Sequence, residues 1–408
     1  EGQIMRKRTS FALLLCSAGL AACGSGSSTS DSAKSDAAPK PDGEPVVLGF
    51  AIGKTGFMAP FDLPAMSAAN AAIEKINAAG GAEGRKFEVV SADMKSKPEL
   101  AGDAATSVIS KGADIVVTSC DFDQGSPAAT VAQNDGKLAF STCAASNGFG
   151  PSGIGPLAFT MATAAAAEGA VMAEWAYTDK GYKTAYSLLD DTITFTKESN
   201  GGFVGRWKSL GGDLLGEDTF KQADQSLAAQ INKIKRLPTK PDVIFLASYM
   251  PGQASALKQM RAAGLDMPIL ADEDVDGDYW KKAVPNISDV FYATYASIYG
   301  DDPDPQVNDL VDAYKQREGK LPDNAAFLTG YAMVQAISEA IKGAKGSTDG
   351  PALQEQLEKF DNEPLLLPTT FTKTSHITEK RKLRILSIQG GKNKLVTVKE
   401  PEQVPPAG

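Results

Sequence analysis

Beginning at Val46, short apolar runs alternate with longer stretches in which apolar residues recur at helical spacing, the pattern of parallel strands covered by helices. "PVVLGFAI" at 45–52 predicts a first strand, and "DLPAMSAANAAIEKINAAGG" at 62–81 predicts a helix with Ala69, Ala72, Ile73 and Ile76 on one face and a stop at Gly80 and Gly81. "KFEVVSAD" at 86–93 gives the second strand, followed by a helix in "KPELAGDAATSVISKG", opened by Pro98 and ended at Gly112. "ADIVVTSC" at 113–120 and "KLAFSTC" at 137–143 read as adjacent strands, with "SPAATVAQND" between them as a crossover helix.

A second series starts near Gly155. Helices are expected in "AAAAEGAVMAEWAYTDKG", "FTKESNGGFVGRWKSLGG", "DQSLAAQINKIKRL" and "PGQASALKQMRAAGL". They alternate with strands in "KTAYSLLDD", "DLLGEDTF", "PDVIFLAS", "MPILAD" and "VFYATYA". Two long amphipathic helices, "DPQVNDLVDAYKQREG" and "NAAFLTGYAMVQAISEAIKGA", come next, then the strand candidates "LPTTFTKT" and "RKLRILSIQ". The fold class expected is α/β, with a parallel sheet in each of two similar lobes.

Ahead of Val46 the pattern changes. Met5 is followed by Arg6, Lys7 and Arg8, then by the apolar run Phe11 to Ala22, which is shorter than the roughly 20 residues a bilayer span needs. Residues 1–22 therefore read as a secretion signal. "LAAC" at 20–23 resembles the lipobox of bacterial lipoproteins, which implies that Cys23 is lipidated and becomes the mature N-terminus. The Gly, Ser, Ala and Pro-rich residues that follow, to 44, lack the apolar surface to fold and are expected to act as a flexible tether.

Composition narrows the function classes. The formal net charge is -9 over 408 residues, which disfavours nucleic acid as a partner because phosphate binding needs clustered Lys and Arg. A single histidine, His376, sits in "KTSHITEKRK", where a lysine-rich hairpin is expected rather than a cleft and no nucleophile and base accompany it. With one His and few cysteines, neither a metal site nor a cofactor is expected, and no glycine-rich phosphate loop is present. An enzyme is not expected. Removal of Cys16 and lipidation of Cys23 leave Cys120 and Cys143 at the ends of neighbouring strands in an exported chain. A disulfide between them is expected, two buried free thiols being the alternative.

"TG" at 55–56, "INAAGGAEGRKFEVVSAD" at 76–93, "ELAGDAATSVIS" after it, "QMRAAGLDMPIL" at 259–270 and "TGYAMVQAISEAI" at 329–341 stand in this order behind the lipobox. Together these segments resemble the type I solute-binding proteins of ABC importers, in particular the branched-chain amino acid and amide receptors. The resemblance runs from about Val46 to Thr397. It implies two Rossmann-like lobes, 45–159 with 293–363 and 160–292 with 364–399, then a tail at 400–408. Three crossings near Phe159, Tyr292 and Pro364 would form a hinge. Ligands of open parallel sheets bind outside the carboxyl ends of the strands, so two facing sheets place their strand-end loops around one cleft.

In the first lobe the resemblance puts Phe61 against the ligand as an aromatic wall, packing under a loop being the alternative. It gives Ser141, Thr142 and Ser146 to a ligand carboxylate. Asp121 and Asp123 stand where amino acid receptors of the family offer hydroxyls. As acceptors they suit a ligand that presents donors, unless they cap the helix expected near Ser126. From the second lobe come Asp190 and Asp191, Ser248 and Tyr249, then Asp272, Glu273 and Asp276. The resemblance matches Glu273 to an acid that pairs with a ligand ammonium. Tyr295 and Tyr299 would line the cleft near the hinge or fill the core.

The function expected is that of a monomeric, lipid-anchored, extracytoplasmic receptor. It would take a small polar solute such as an amino acid or amide and deliver it to ABC permease subunits. A receptor that reports solute to a membrane kinase, or one for a polyol, amine or aromatic acid, is the alternative.

Overall fold

The computed structural model describes residues 43–406, so Cys23 and the tether up to residue 42 lie outside the described residues. Five parallel strands form the first sheet: β1 (Val46–Ile52), β2 (Phe87–Asp93), β3 (Ile115–Thr118), β4 (Ala139–Ser141) and β5 (Ala158–Thr160), in the order β2-β1-β3-β4-β5. Helices α1 (Ala59–Ala78), α2 (Pro98–Ser110) and α3 (Phe122–Asn134) connect them. The short strands β3 and β4 are buried at every position, as strands covered on both faces must be. One face packs its Leu48, Phe50, Ile115 and Val117 with Phe140 into the core that α1 closes. The other turns Ala51, Val116 and Ala139 toward the alanines of α2 and α3.

The second sheet has seven strands in the order β12-β11-β10-β9-β8-β6-β7. Its parallel part is β6 (Thr184–Asp190), β7 (Asp213–Phe220), β8 (Val243–Ala247), β9 (Ile269–Ala271) and β10 (Val290–Thr294). Helices α4 (Ala165–Glu174), α5 (Thr194–Ser209), α6 (Ala228–Lys235) and α7 (Gly252–Ala262) flank it. At Gly202 a Cβ would collide with the backbone of Ala166, and at Gly169 with that of Ser199, so α4 and α5 pack backbone to backbone.

After β10 the chain returns to the first lobe for α8 (Pro305–Glu318), α9 (Phe327–Gly343) and α10 (Gly350–Leu357), and α9 lies along α1. It then ends in the second sheet as the antiparallel hairpin β11 (Leu383–Gln389) and β12 (Lys392–Lys399). Gly390 and Gly391 turn that hairpin with φ of 56° and 77°, the left-handed pair a two-residue loop needs. The segment beyond β12 is fastened to the second lobe, where the amides of Glu402 and Gln403 donate to Glu174.

Three passages link the lobes. The first follows β5 through Met161 and Thr163, and the second follows β10 through Tyr295 and Ser297. The third comes after Thr378, which bridges Thr163, and not near Pro364: Leu365, Leu367, Phe371 and Ile377 still pack into the core of the first lobe. The stretch "LPTTFTKT" accordingly forms no strand apart from an isolated bridge between Glu363 and Thr369. His376 is not on a lysine-rich hairpin either. It is buried and stacked on Phe159 with ring centroids 3.7 Å apart, and its Nδ1 lies 2.9 Å from the Ala158 carbonyl.

Arg381 binds the outer two passages together. Its guanidinium is buried and donates to the carbonyls of Met161 and Pro368 and to the hydroxyls of Thr163, Thr369 and Thr378, all at 3.1–3.3 Å. The middle passage joins through Tyr295, whose hydroxyl accepts from the Thr163 amide at 3.3 Å.

Candidate functional site

The loops that leave the carboxyl ends of β1, β3, β4, β6, β8 and β9 converge between the lobes on one cavity of about 530 Å³, its open mouth included. From the first lobe come Phe57, Met58, Phe61, Cys120, Asp121, Cys143 and Ala145, and from the second Ile193, Phe195, Tyr249, Met250, Glu273 and Asp274. Each lobe therefore brings both an apolar surface and at least one carboxylate to the wall.

Local structure fixes these side chains. Asp62, in the first turn of α1, is fully buried beneath the first-lobe loops. It accepts from the amides of Gly53 (2.7 Å) and Cys120 (2.8 Å) and from the Ser119 hydroxyl (2.7 Å). Cys120 and Cys143 are joined in the expected disulfide, with Cα atoms 4.4 Å apart, and both line the cavity. Asp121 is the N-cap of α3 and accepts from the Gln124 amide at 2.9 Å, so the capping expectation holds for it, with the helix starting four residues before Ser126. Phe57 and Tyr249 approach across the cleft with centroids 6.0 Å apart, and Phe61 meets Tyr279 edge-on at 6.3 Å.

The electrostatics are one-sided. Burial, reinforced by Asp123 and Asp62, pushes the Asp121 carboxyl up to about 7, and burial pushes Asp62 up to about 6. Asp272, Glu273 and Asp274 are raised well above the usual carboxylate range, first by burial and then by one another and nearby acids. Glu168 on α4 is raised in the same way. Among the described residues no Lys, Arg or His lines the cavity.

Two hydrogen-bonded contacts cross the cleft beside the cavity. Asp123 accepts from the amide (2.7 Å) and hydroxyl (3.0 Å) of Thr194 at the start of α5, and the Ser146 hydroxyl donates to Glu198 at 2.6 Å. A third tie lies nearer the hinge, where Asp276 accepts from the Ala325 amide at 2.8 Å.

A family model described as periplasmic binding protein matches residues 45–393. The chain belongs to the periplasmic binding protein family. Among relatives of this binding protein is a Leu/Ile/Val-binding protein homolog of Brucella melitensis, 22% identical over 78% of this chain and 84% of the relative. A leucine-, isoleucine-, valine-, threonine-, and alanine-binding protein of Pseudomonas aeruginosa is 24% identical over 74% of this chain and 79% of its own length. The fold matches the branched-chain amino acid transporter substrate binding protein of Streptococcus pneumoniae in complex with isoleucine. The TM-score is 0.73 at 19% identity, covering 88% of this chain and 100% of that one. An R. palustris solute binding protein in complex with benzoate matches with a TM-score of 0.70 at 16% identity, covering 89% and 98%.

Within this periplasmic binding protein, Phe61, Asp121, Tyr249 and Glu273 line the cavity. The other residues singled out in the sequence lie elsewhere. Asp123 and Ser146 join the lobes. Ser141 is buried with its hydroxyl donated to the Ser119 carbonyl at 2.8 Å while it accepts from the Ala144 amide, so its capacity is used inside the first lobe. The Thr142 hydroxyl is buried without a partner and is not among the lining groups. Asp191 lies 4.0 Å from Lys221, off the cavity. Tyr295 belongs to the hinge, and Asp276 accepts from Tyr292 (2.8 Å) and Tyr299 (3.0 Å), which makes it a structural acid.

Sequence reasoning missed Phe57, Met58, Ile193, Phe195, Met250 and Asp274. All lie in loops it had marked as strand ends, and only their polar neighbours or Phe61 had been picked.

Proposed function

We propose that this periplasmic binding protein captures a small solute between its lobes by hinge closure and delivers it to the permease of an ABC importer. Lipid on Cys23 would hold it at the outer face of the cell membrane. The observation that carries the reading is the cavity itself, built from strand-end loops of both lobes, so a molecule inside it touches both halves and favours their approach. Asp123 with Thr194 and Ser146 with Glu198 form only when the lobes meet, which gives closure its own hydrogen bonds. The names of the relatives, which describe amino acid binding, support the transport role.

Small-angle scattering of the purified domain with and without candidate solutes tests this. Binding should accompany a more compact profile and a higher melting temperature, because a ligand of the native state alone stabilises it. Binding with no change in compactness would remove hinge closure from the account. For the anchor, Cys23→Ala should release the protein from the membrane fraction. A variant that stayed there would show that another segment holds it.

A further inference from the structure

Glu273 and Asp274 are 7% and 9% exposed, both line the cavity, and neither carboxylate has a hydrogen-bond donor or cation among the described residues. The acids around them differ. Asp62 has three donors, Asp190 binds Thr192 and Ser248, and Asp276 binds Tyr292, Tyr299 and Ala325. A buried carboxylate left without donors is costly. Glu168 on α4 shares that condition behind the wall, but Glu273 and Asp274 are the ones that reach the void. On the opposite wall stands Asp121, which already takes the amide of Gln124 at the start of α3. Among the described residues no Ser, Thr, Lys, Arg or His lines the space, so an entering carboxylate would meet like charge wherever these three acids ionise, and no donor besides the Tyr249 hydroxyl and the acids' own protonated forms. Nor do three or more acids converge as metal ligands among the described residues. The rest of the wall is largely aromatic and aliphatic, which suits a cation's apolar body and its charge over a ring face.

We propose that the cavity takes an N–H-bearing organic cation with an apolar body and no carboxylate of its own, an amine or amidinium group paired with Glu273 and Asp274. The proposal rests on the solute-binding reading above and names the class of solute. Donors suit these acceptors, and the pairing would supply the partners that the two carboxylates lack.

Titration calorimetry with matched pairs tests it: 2-phenylethylamine against phenylalanine, 3-methylbutylamine against leucine, putrescine against ornithine and agmatine against arginine, with benzoate as an anionic control. At least one amine should bind a hundredfold or more tighter than its parent amino acid. Asp274→Asn and Glu273→Gln should each weaken that amine tenfold or more while raising the melting temperature of the ligand-free protein at alkaline pH, since each removes a buried acid whose ionised form has no partner. That opposite movement of affinity and stability separates a ligand contact from a fold contact. An amino acid or benzoate that binds as tightly as the best amine overturns the cation class and leaves solute capture standing. Absence of binding by every amine also overturns it, and the scattering screen then decides separately whether the cleft closes on any solute.

Discussion

Asp123 at the start of α3 and Thr194 at the start of α5 are joined by two hydrogen bonds, of 2.7 and 3.0 Å, although they belong to different lobes. Hydrogen bonds to a charged acceptor contribute about 1.5–3 kcal/mol, so the pair is a candidate latch for the closed state. Asp123→Ala should therefore shift the ligand-free domain toward a more open form, read as a larger radius of gyration by scattering. An unchanged profile would mean that Ser146 and Glu198, or packing alone, hold the lobes together.

The disulfide closes a loop of 23 residues in sequence separation and supplies part of the cavity wall. Loop closure of this length corresponds to about 3 kcal/mol. Replacing both cysteines with serine should lower unfolding free energy by that order in urea titrations. Equal stability of the oxidised protein and the double variant would contradict it.

Protonation gives a signed expectation. The carboxyls of Asp121 and Asp62, ordinarily near 3.8, are pushed up to about 7 and about 6. The unfolded chain releases these protons near pH 4 while the native state keeps them, so between those values the native state binds more protons and stability falls as pH rises. The groups acting on Asp121 are Asp123, Asp62 and the Gln124 amide, and Asp274 faces it across the cavity. Asp121→Asn keeps the cap and removes the titration. Its melting temperature relative to the natural protein should be higher at pH 8 than at pH 5. His376 acts in the other direction, since burial lowers its pKa and costs stability as pH falls below about 6.5, but it is common to both proteins and cancels in the comparison. A difference that stays flat across pH would return Asp121 to ordinary ionisation.

Arg381→Met should destabilise the domain by about 2 kcal/mol or more, because five hydrogen bonds across two passages are lost, four of them buried. Arg381→Lys should fail to restore it, as an ammonium cannot span carbonyls and hydroxyls that a planar fork reaches at once. Full rescue by lysine, measured by thermal unfolding, would leave charge alone as the requirement.

The two-lobed α/β plan was legible because buried parallel strands such as "ADIVVTSC" are continuous apolar runs and their helices carry a 3.6 period. β12 escaped because "KNKLVTVK" is an exposed edge strand rich in lysine, although the Gly390–Gly391 pair before it was a readable hairpin signal. "LPTTFTKT" looked like a strand from its β-branched residues, but Pro368 lacks a ladder donor, and its carbonyl and the Thr369 hydroxyl serve Arg381 instead. At the site, residue type pointed to the right loops without the right atoms. Whether a hydroxyl such as Ser141 faces a ligand or a carbonyl depends on backbone groups brought from β3, which no local pattern encodes. Asp274 was passed over in a run of acids where sequence gives no reason to prefer one carboxylate.

The glycine contact that seats α5 on α4 leaves that helix no play against its own lobe. Thr194 and Glu198 at its near end and the exposed Lys208 near its far end then travel as one stiff lever. A dye attached at position 208 would swing with the whole arm, so that small rotations at the pivot become readable on the outside of the molecule, well away from any cargo.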